Sequence, residues 1–259
     1  MGSELTRNKD LNHASRALQV TGSTMRDIII CETPDDVADA AADLIFDSQT
    51  QAIGARGAFR IALSGGATPR LLNERLASDE WREVMNWPEW EVFWSDERAV
   101  PAGHRDSNYS LARDALLSKI KVENVWPMPA EAAALREAAD EYARTLHSRL
   151  GPGFPVFDTI LLGMGADGHT ASLFPGHRAL DSSALVEAVE DRTPPRLTLT
   201  LPVLNGAQQV IFLVTGAEKA ERVRDVLEHN DPRFPAAQVL PEEGTCTWIL
   251  DHEAARLIR

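Results

Sequence analysis

A short glycine-rich segment contains the residues of this chain that are best suited to proton transfer. It follows the apolar run Thr159–Leu162, which is typical of a buried parallel strand. Three glycines come next, at Gly163, Gly165 and Gly168. Because glycine lets the backbone take positive φ and approach a ligand closely, this loop can surround a small molecule. Asp167 and His169 lie among the glycines, so the segment predicts an acid and an imidazole at the end of a strand.

The same glycines have the spacing Gly-x-Gly-x-x-Gly of dinucleotide-binding proteins. In those proteins the motif opens a long helix, whereas Pro175 and Gly176 interrupt this chain soon afterwards. The match also lies beyond the middle of the chain, although the motif usually begins its domain. We therefore expect no nicotinamide or flavin site here. The simpler alternative to a catalytic loop is a tight turn with a solvated aspartate and histidine.

A second segment suited to ligand binding is 64–69, Ser-Gly-Gly-Ala-Thr-Pro, which follows the apolar run Phe59–Leu63. Its proline suits the first turn of a helix, where free N–H groups and the helix dipole favour an anion such as phosphate. It is not a Walker loop, because the Gly-Lys-Ser/Thr ending is missing, and a plain strand–turn–helix connection is the alternative. The predicted phosphate contacts are Ser64, Gly65, Gly66 and Thr68.

Charged residues also stand next to predicted strands. Asp96 and Arg98 follow the predicted strand 91–94, and arginine can bind phosphate through two parallel hydrogen bonds. Arg196 precedes a predicted strand, and Lys219 lies where the last long helix is predicted to open. Each of these alone would be solvated or paired at the surface. Because ligands of open α/β sheets bind at the carboxyl ends of strands, we predict that these residues converge on one crevice.

The charge of the chain argues against some classes of partner. Its 259 residues include 39 acidic and 26 basic side chains, which gives a formal net charge of −13 at pH 7. This balance argues against nucleic acids and anionic membranes as partners. The two cysteines, Cys31 and Cys246, are far apart and predict neither a disulfide framework nor a metal site. With no membrane-length apolar run and no signal peptide, the chain is expected in the cytoplasm.

Predicted strands and helices alternate along the chain, which indicates a mostly parallel α/β sheet with helices on both faces. The predicted strands are 27–32, 59–63, 91–94, 159–162, 197–201, 210–214 and 247–250. The predicted helices begin after Thr33 and after the 64–69 segment, and continue with 107–117, about 131–150, 215–229 and a short terminal helix. Residues 1–24 are polar and predict a disordered leader. Residues 25–259 are then expected to form a single catalytic domain.

Taken together, the motifs resemble the 6-phosphogluconolactonase family, within the wider group that includes glucosamine-6-phosphate isomerase/deaminase. The matching stretches are LSGGATP (63–69), SDERAVP (95–101), SNY (107–109), LLGMGADGHTASLFPG (161–176) and TGAEK (215–219). The fourth stretch is highly specific and the others moderately so. Ala67, where relatives often carry Ser or Thr, is a mild departure that leaves the backbone of the turn unchanged.

The resemblance implies a modified Rossmann-like fold and hydrolysis of 6-phospho-D-glucono-1,5-lactone to 6-phosphogluconate, with no metal or organic cofactor. It implies that His169 transfers the proton and that Asp167 contacts the substrate or helps to place water. Gly65, Gly66, Thr68, Arg98, Arg196 and Lys219 would line the phosphate end. The chemistry is compatible, because an imidazole with an ordinary pKa near ~6.5 can act as base and then as acid. A Gly-x-Ser-x-Gly nucleophile is absent, which disfavours an acyl-enzyme.

Two other functions are the alternatives. The isomerase/deaminase relatives usually carry Asn-Glu-Pro where this chain has Leu173-Phe174-Pro175, and tend to have Tyr at the position of Arg98. The missing glutamate removes a proton carrier that opening of a sugar ring would use. A non-catalytic sugar-phosphate sensor is the other alternative, but related sensors are attached to a DNA-binding helix-turn-helix, and the net acidity of this chain opposes DNA contact. The sequence leaves the oligomeric state open.

Overall fold

The structure of the chain, a computed structural model, describes residues 14–21, 24–151 and 153–258. The strands found there are β1 (Ala14–Thr21), β2 (Thr24–Cys31), β3 (Phe59–Leu63), β4 (Trp90–Trp94), β5 (Asp96–Arg98), β6 (Asn124–Val125), β7 (Thr159–Leu162), β8 (Val186–Val189), β9 (Arg196–Leu199), β10 (Gln209–Val214) and β11 (Thr245–Asp251). The α-helices are α1 (Pro34–Arg56), α2 (Ala67–Leu76), α3 (Asp79–Arg82), α4 (Asn108–Ala115), α5 (Leu135–Leu150), α6 (Leu201–Asn205), α7 (Ala220–Leu227), α8 (Pro235–Gln238) and α9 (His252–Ala255).

An eight-stranded sheet carries most of the strands, in the order β1-β2-β11-β10-β7-β3-β4-β6. β1 runs antiparallel to β2, and the other neighbouring pairs are parallel. The predicted fold class, a mostly parallel α/β sheet, is therefore confirmed. Since β10, β7, β3 and β4 are neighbours, the loops that follow them meet at one edge of the sheet.

Local sequence explains the elements that lead to this edge. β3 and β7 have the predicted bounds, and β7 is buried along its whole length, as expected of a strand covered on both faces. The first helix begins where Thr33 predicts. The Thr33 hydroxyl accepts a hydrogen bond from the N–H of Asp36, and the Asp36 carboxylate accepts one from the N–H of Thr33. Gly57 ends this helix in the left-handed region, with a φ of 77°.

A second sheet is antiparallel and has three strands, in the order β5-β9-β8. The sequence does not predict it, because β5 is only three residues long and follows β4 almost without a break. The predicted strand 197–201 is wrong at its end, since β9 stops at Leu199 and α6 begins at Leu201. The alternation of Leu and Thr signals the strand correctly. Pro202, however, lies in the first turn of α6, a position where proline is well tolerated.

Other boundaries also differ from the predictions. α5 begins at Leu135 rather than near 131, α4 ends at Ala115 rather than 117, and α7 ends at Leu227 rather than 229. Part of the predicted leader is a strand as well. β1 pairs with the edge of β2 through backbone hydrogen bonds, which a polar sequence can form as readily as an apolar one. The remainder of the leader prediction, residues 1–13 and 22–23, lies outside the described residues.

One continuous hydrophobic cluster lies on both sides of the large sheet's central strands. Trp90, Trp94 and Trp248 are fully buried in it, and the Trp248 ring stacks on Phe212 with centroids 4.0 Å apart. This packing fixes the strands whose ends carry the candidate site. No helix in the described part of the chain is both long and apolar enough to span a bilayer. A single domain over residues 25–259 remains a prediction.

Candidate active site

A cleft of about 330 Å³ opens at the carboxyl ends of the central strands. The glycine-rich loop after β7, the turn after β3 and the start of the segment after β10 line one part of it, and the small antiparallel sheet lines another. It brings together the predicted site residues apart from Asp167, which contacts one of them. The residues are Ser64, Gly65, Gly66, Thr68, Asp96, Arg98, His169, Arg196 and Lys219. The predicted convergence is therefore found, while the role of each residue remains a prediction.

The turn after β3 places backbone N–H groups at the start of α2. Gly66 is the N-cap of this helix with a φ of 116°, and no side chain caps the helix there. The Gly66 N-cap thus leaves the first N–H groups of this helix without a capping side chain. The Thr68 hydroxyl lies 2.7 Å from the hydroxyl of Thr215, which joins the turn to the segment after β10. Lys219 ends a short 3₁₀ turn in that segment and lies on the same cleft.

Two arginines face each other across the small sheet. Arg98 and Arg196 are paired residues of the antiparallel strands β5 and β9, so the geometry of the sheet itself brings two positive charges together. Burial lowers the pKa of the Arg196 guanidinium, and the charge of Arg98 lowers it further, whereas Asp96 acts in the opposite direction. An anion bound between the two guanidinium groups would offset their repulsion.

The two acids of the Asp96-Glu97-Arg98 segment are buried, and they differ in what they contact. Asp96 lines the cleft, but its carboxylate already accepts hydrogen bonds from the side chains of Asn108 and Ser172. Glu97 accepts hydrogen bonds from the N–H groups of Asn108 and Tyr109 at the start of α4. Burial raises the pKa of Glu97, although these hydrogen bonds act to lower it. Glu97 therefore holds the helix and does not line the cleft.

His169 and Asp167 form the polar centre of the glycine-rich loop. The imidazole Nδ1 lies 2.5 Å from the Asp167 carboxylate, which also accepts a hydrogen bond from the N–H of His169 at 3.2 Å. Partial burial acts to raise the pKa of Asp167, but the charge and hydrogen bonds of His169 outweigh it and hold that pKa below its usual value. Asp167 is therefore a carboxylate at neutral pH, and it favours the imidazole with its proton on Nδ1. The second ring nitrogen, Nε2, then carries a free lone pair.

The loop is shaped so that the imidazole can lie close to its backbone. A Cβ on Gly165 would stand 2.1 Å from Nδ1 of His169 and 2.6 Å from the Asp167 carboxylate, so any larger residue would displace the pair. The predicted absence of a long helix after Gly168 is confirmed. The chain instead forms an isolated antiparallel β-bridge between Thr170 and Leu173. This geometry does not provide the glycine–helix packing that a dinucleotide site requires.

Several residues near the cleft were not among the predicted site residues. Phe174 is buried, and its ring centroid lies 4.7 Å from that of His169. The guanidinium groups of Arg192 and Arg196 stand over the same ring, at 4.4 and 5.5 Å from its centroid. Asn108 and Ser172 contact Asp96, as described above. Phe174, Asn108 and Ser172 all lie within recognisable motifs, yet no local pattern shows which partners they meet; Arg192 lies in no motif.

The described residues contain no group of three or more His, Cys, Asp or Glu side chains arranged to hold a metal ion. Asp96, Glu218 and His169 line the cleft, and its hydrogen-bond donors are backbone N–H groups, hydroxyls, two guanidinium groups and the Lys219 ammonium. Donors of this kind suit an oxyanion such as phosphate. The sequence-based expectation that no metal or organic cofactor takes part remains a prediction.

The amino-acid sequence is similar to those of known proteins over most of its length. A family model described as "Glucosamine-6-phosphate isomerases/6-phosphogluconolactonase" matches residues 32–248. The chain is 39% identical over 239 residues to a 6-phosphogluconolactonase of Rattus norvegicus, covering 89% of this chain and 93% of the relative. It is 41% identical over 218 residues to a 6-phosphogluconolactonase of Synechocystis, covering 81% of this chain and 89% of the relative.

A solved structure is similar over a comparable length. The 6-phosphogluconolactonase from Trypanosoma brucei superposes with a TM-score of 0.79 at 32% sequence identity. The match covers 90% of this chain and 98% of that structure. Both the sequence and the fold are therefore similar to these proteins over nearly their whole length.

Proposed function

The chain belongs to the family of glucosamine-6-phosphate isomerases and 6-phosphogluconolactonases, and we propose that it hydrolyses 6-phospho-D-glucono-1,5-lactone to 6-phospho-D-gluconate. This is a step of the oxidative pentose phosphate pathway. The observation that carries the proposal is the His169–Asp167 pair, which lies at a cleft that also holds two arginines and the N-terminus of α2, where the N-cap residue Gly66 has no capping side chain. A proton-transfer group and an anion-binding surface thus share one site.

The reaction needs water to add to the lactone carbonyl and the ring oxygen to leave with a proton. With Nδ1–H donated to Asp167, Nε2 of His169 can take a proton from water as the new C–O bond forms. The tetrahedral intermediate then expels the ring oxygen, which receives that proton from the imidazolium. The bond between the carbonyl carbon and the ring oxygen breaks, and His169 returns to its neutral form. The carboxylic acid product ionises in solution.

The phosphate of the substrate is assigned to the anion-binding part of the cleft. The N–H groups at the start of α2 and the side chains of Arg98, Arg196 and Lys219 are suited to it, because they present hydrogen-bond donors and positive charge in a chain of net charge −13. Holding the phosphate there would bring the lactone carbonyl near His169. Such positioning contributes much of the rate enhancement in reactions that are already feasible in water.

A coupled assay tests the proposal most directly. The lactone is generated freshly, and the appearance of 6-phosphogluconate is followed through a dehydrogenase, with the spontaneous hydrolysis subtracted. We expect kcat of the wild-type chain to exceed the first-order rate constant of spontaneous hydrolysis by several orders of magnitude. His169→Asn, which keeps a polar side chain of similar shape, is the control. A wild-type rate equal to the spontaneous one would reject the proposed function.

The isomerase/deaminase alternative lacks support from the same residues. Leu173 is fully buried and Phe174 nearly so, and neither side chain can exchange a proton. Arg98 stands where those relatives tend to have Tyr. We therefore expect no release of ammonia from glucosamine 6-phosphate under conditions in which the lactone is turned over. We further propose that the chain acts in the cytoplasm on this small molecule, without nucleic-acid partners.

A further inference from the structure

We propose that Asn108 and Asp96 are positioning residues that hold Arg98 against the phosphate-binding turn and connect it to the loop of His169. This inference rests on the proposed function, because it takes Arg98 as a contact of the substrate phosphate. It adds Asn108 to the site, and it gives Asp96, which already lines the cleft, a role through Arg98 that needs no contact with the substrate. Both are almost completely buried, with 1% and 4% of their surface exposed.

The side chain of Asn108 has partners that fix its orientation. Its carbonyl oxygen accepts a hydrogen bond from Nη1 of Arg98. Its Nδ2 donates to the backbone carbonyl of Asp96 at 2.8 Å and to the Asp96 carboxylate at 3.0 Å. Arginine can only donate, and a carboxylate can only accept, so a side chain between them must offer one acceptor and two donors. An amide meets this requirement, whereas neither a carboxylate nor a hydroxyl does.

The position of this amide matters because it lies directly against the turn after β3. A Cβ on Gly65 would stand 1.7 Å from Oδ1 of Asn108 and 3.0 Å from Nη1 of Arg98. The guanidinium is therefore held beside the backbone whose N–H groups start α2. An anion bound to that backbone can accept a hydrogen bond from Arg98 without movement of the arginine, which reduces the entropy lost on binding.

Asp96 connects Asn108 to the glycine-rich loop that carries His169. Its second carboxylate oxygen accepts a hydrogen bond at 2.6 Å from Ser172, which follows His169 closely in the sequence. The N–H of Ser172 in turn donates to the hydroxyl of Thr198 on β9. Hydrogen bonds thus run from the guanidinium of Arg98 through Asn108 and Asp96 to the loop that carries the catalytic imidazole.

A purely structural role is the competing explanation, since Asn108 also begins α4. Its contribution to the helix, however, comes from the backbone, because its N–H donates to Glu97 and the capping hydroxyl belongs to Ser107. The side chain can therefore be removed while these helix contacts remain. A structural role would reduce activity on every substrate, whereas positioning of Arg98 affects only a substrate that carries the phosphate.

The experiment compares kcat/KM for the phosphorylated lactone with kcat/KM for unphosphorylated gluconolactone. Asn108→Ala should lower the ratio of these two constants on the order of tenfold, because Arg98 loses its buried side-chain acceptor and keeps only the longer hydrogen bond to the Asp106 carbonyl, 3.3 Å. In an Arg98→Ala background the same change should lower the ratio no further, since the residue it positions is gone. The matched control is Asn205→Ala, whose amide donates to Gln238 and accepts from Leu240 away from the cleft. It should leave the ratio unchanged.

The outcomes separate this inference from the proposed function. If the wild-type chain does not accelerate lactone hydrolysis, the proposed function fails first. The positioning role is wrong if the wild type is active but Asn108→Ala lowers kcat/KM equally for both substrates. It is also wrong if the effect of Asn108→Ala on the ratio adds fully to that of Arg98→Ala. Should Asn108→Ala fail to fold, Asn108→Ser keeps a small polar residue at the start of the helix and is expected to lower the ratio in the same direction.

Discussion

The two ends of the cleft are held together in different ways. At the end proposed for proton transfer, His169 and Asp167 are near neighbours in sequence, and their side chains keep 30% and 54% of their surface exposed. At the anion-binding end, Arg98 is oriented by Asn108 and Asp96, both buried, and Asp96 meets a serine 76 residues away. The first arrangement is local and depends on glycine to make room. The second depends on the tertiary structure to place its parts.

A carboxylate on the exposed loop and one in the buried segment beside Arg98 also differ, in the direction in which their pKa is shifted. Asp167 stands beside an imidazole, and its pKa lies below the usual value despite partial burial. Glu97 is enclosed at the start of α4, and burial raises its pKa despite three backbone hydrogen bonds. Charge on an exposed loop is thus favoured by a specific neighbour, whereas charge in the buried region is opposed by the surroundings. Both statements can be tested by substitution.

The largest effect is expected at the proton-transfer end. His169→Asn removes the group that we propose acts as base and then as acid, so kcat should fall on the order of 10²-fold or more. The fold should persist, because the side chain is partly exposed on a loop; circular dichroism and thermal unfolding check this. Turnover close to that of the wild type would mean that another group transfers the proton.

The next effect should come from filling the space that the glycine leaves. Gly165→Ala would place a Cβ against the imidazole, so His169 must shift, and we expect kcat to fall roughly tenfold to a hundredfold. The matched control is Gly163→Ala, whose Cβ would meet nothing closer than 3.9 Å, at the carbonyl of Leu213. Steady-state kinetics on both variants measure the difference. Equal losses would show that loop flexibility, rather than the space beside the ring, requires the glycine.

At the anion-binding end the expected change is in KM. Replacing Arg98, Arg196 or Lys219 by Ala should raise KM for the phosphorylated lactone about tenfold for each, because a charged hydrogen bond to phosphate is lost. The slow hydrolysis of unphosphorylated gluconolactone should hardly change, and it is the internal control. If a variant loses both activities to the same extent, the residue supports the structure and not the phosphate.

The smallest effects concern stability and should have opposite pH dependence in the two regions. The pKa of Glu97 is higher in the folded than in the unfolded state. Its contribution to the free energy of unfolding is therefore present below the unfolded-state pKa near ~4.3 and is lost as pH rises through the folded-state pKa. Wild type should therefore lose stability relative to Glu97→Gln as pH rises over that window. Asp167 has a lowered pKa, so relative to Asp167→Asn the wild type should lose stability as pH falls below ~3.9. Urea unfolding across pH measures both, and slopes of the same sign would contradict the contrast.

The sequence predicts the local parts of this molecule better than the long-range parts. The bounds of β3 and β7 are predicted because apolar runs end abruptly at glycine or serine, and the proximity of Asp167 to His169 follows from their spacing. The small sheet is missed because β5 has three residues and shows no periodicity. The contacts of Asp96 with Ser172 and of Asn108 with Arg98 are missed as well, because only the pairing of β5 with β9 and the start of α4 bring them together.

The pairing of Arg98 with Arg196 has a consequence for folding itself. Like charges directly opposite each other on neighbouring strands destabilise a sheet, and an anion bound between Arg98 and Arg196 would offset that repulsion. An anion that binds only the folded state raises the free energy of unfolding by RT ln(1 + [L]/Kd), where [L] is the concentration of the free anion. The phosphorylated substrate and product of the proposed reaction are therefore expected to raise the free energy of unfolding of this chain.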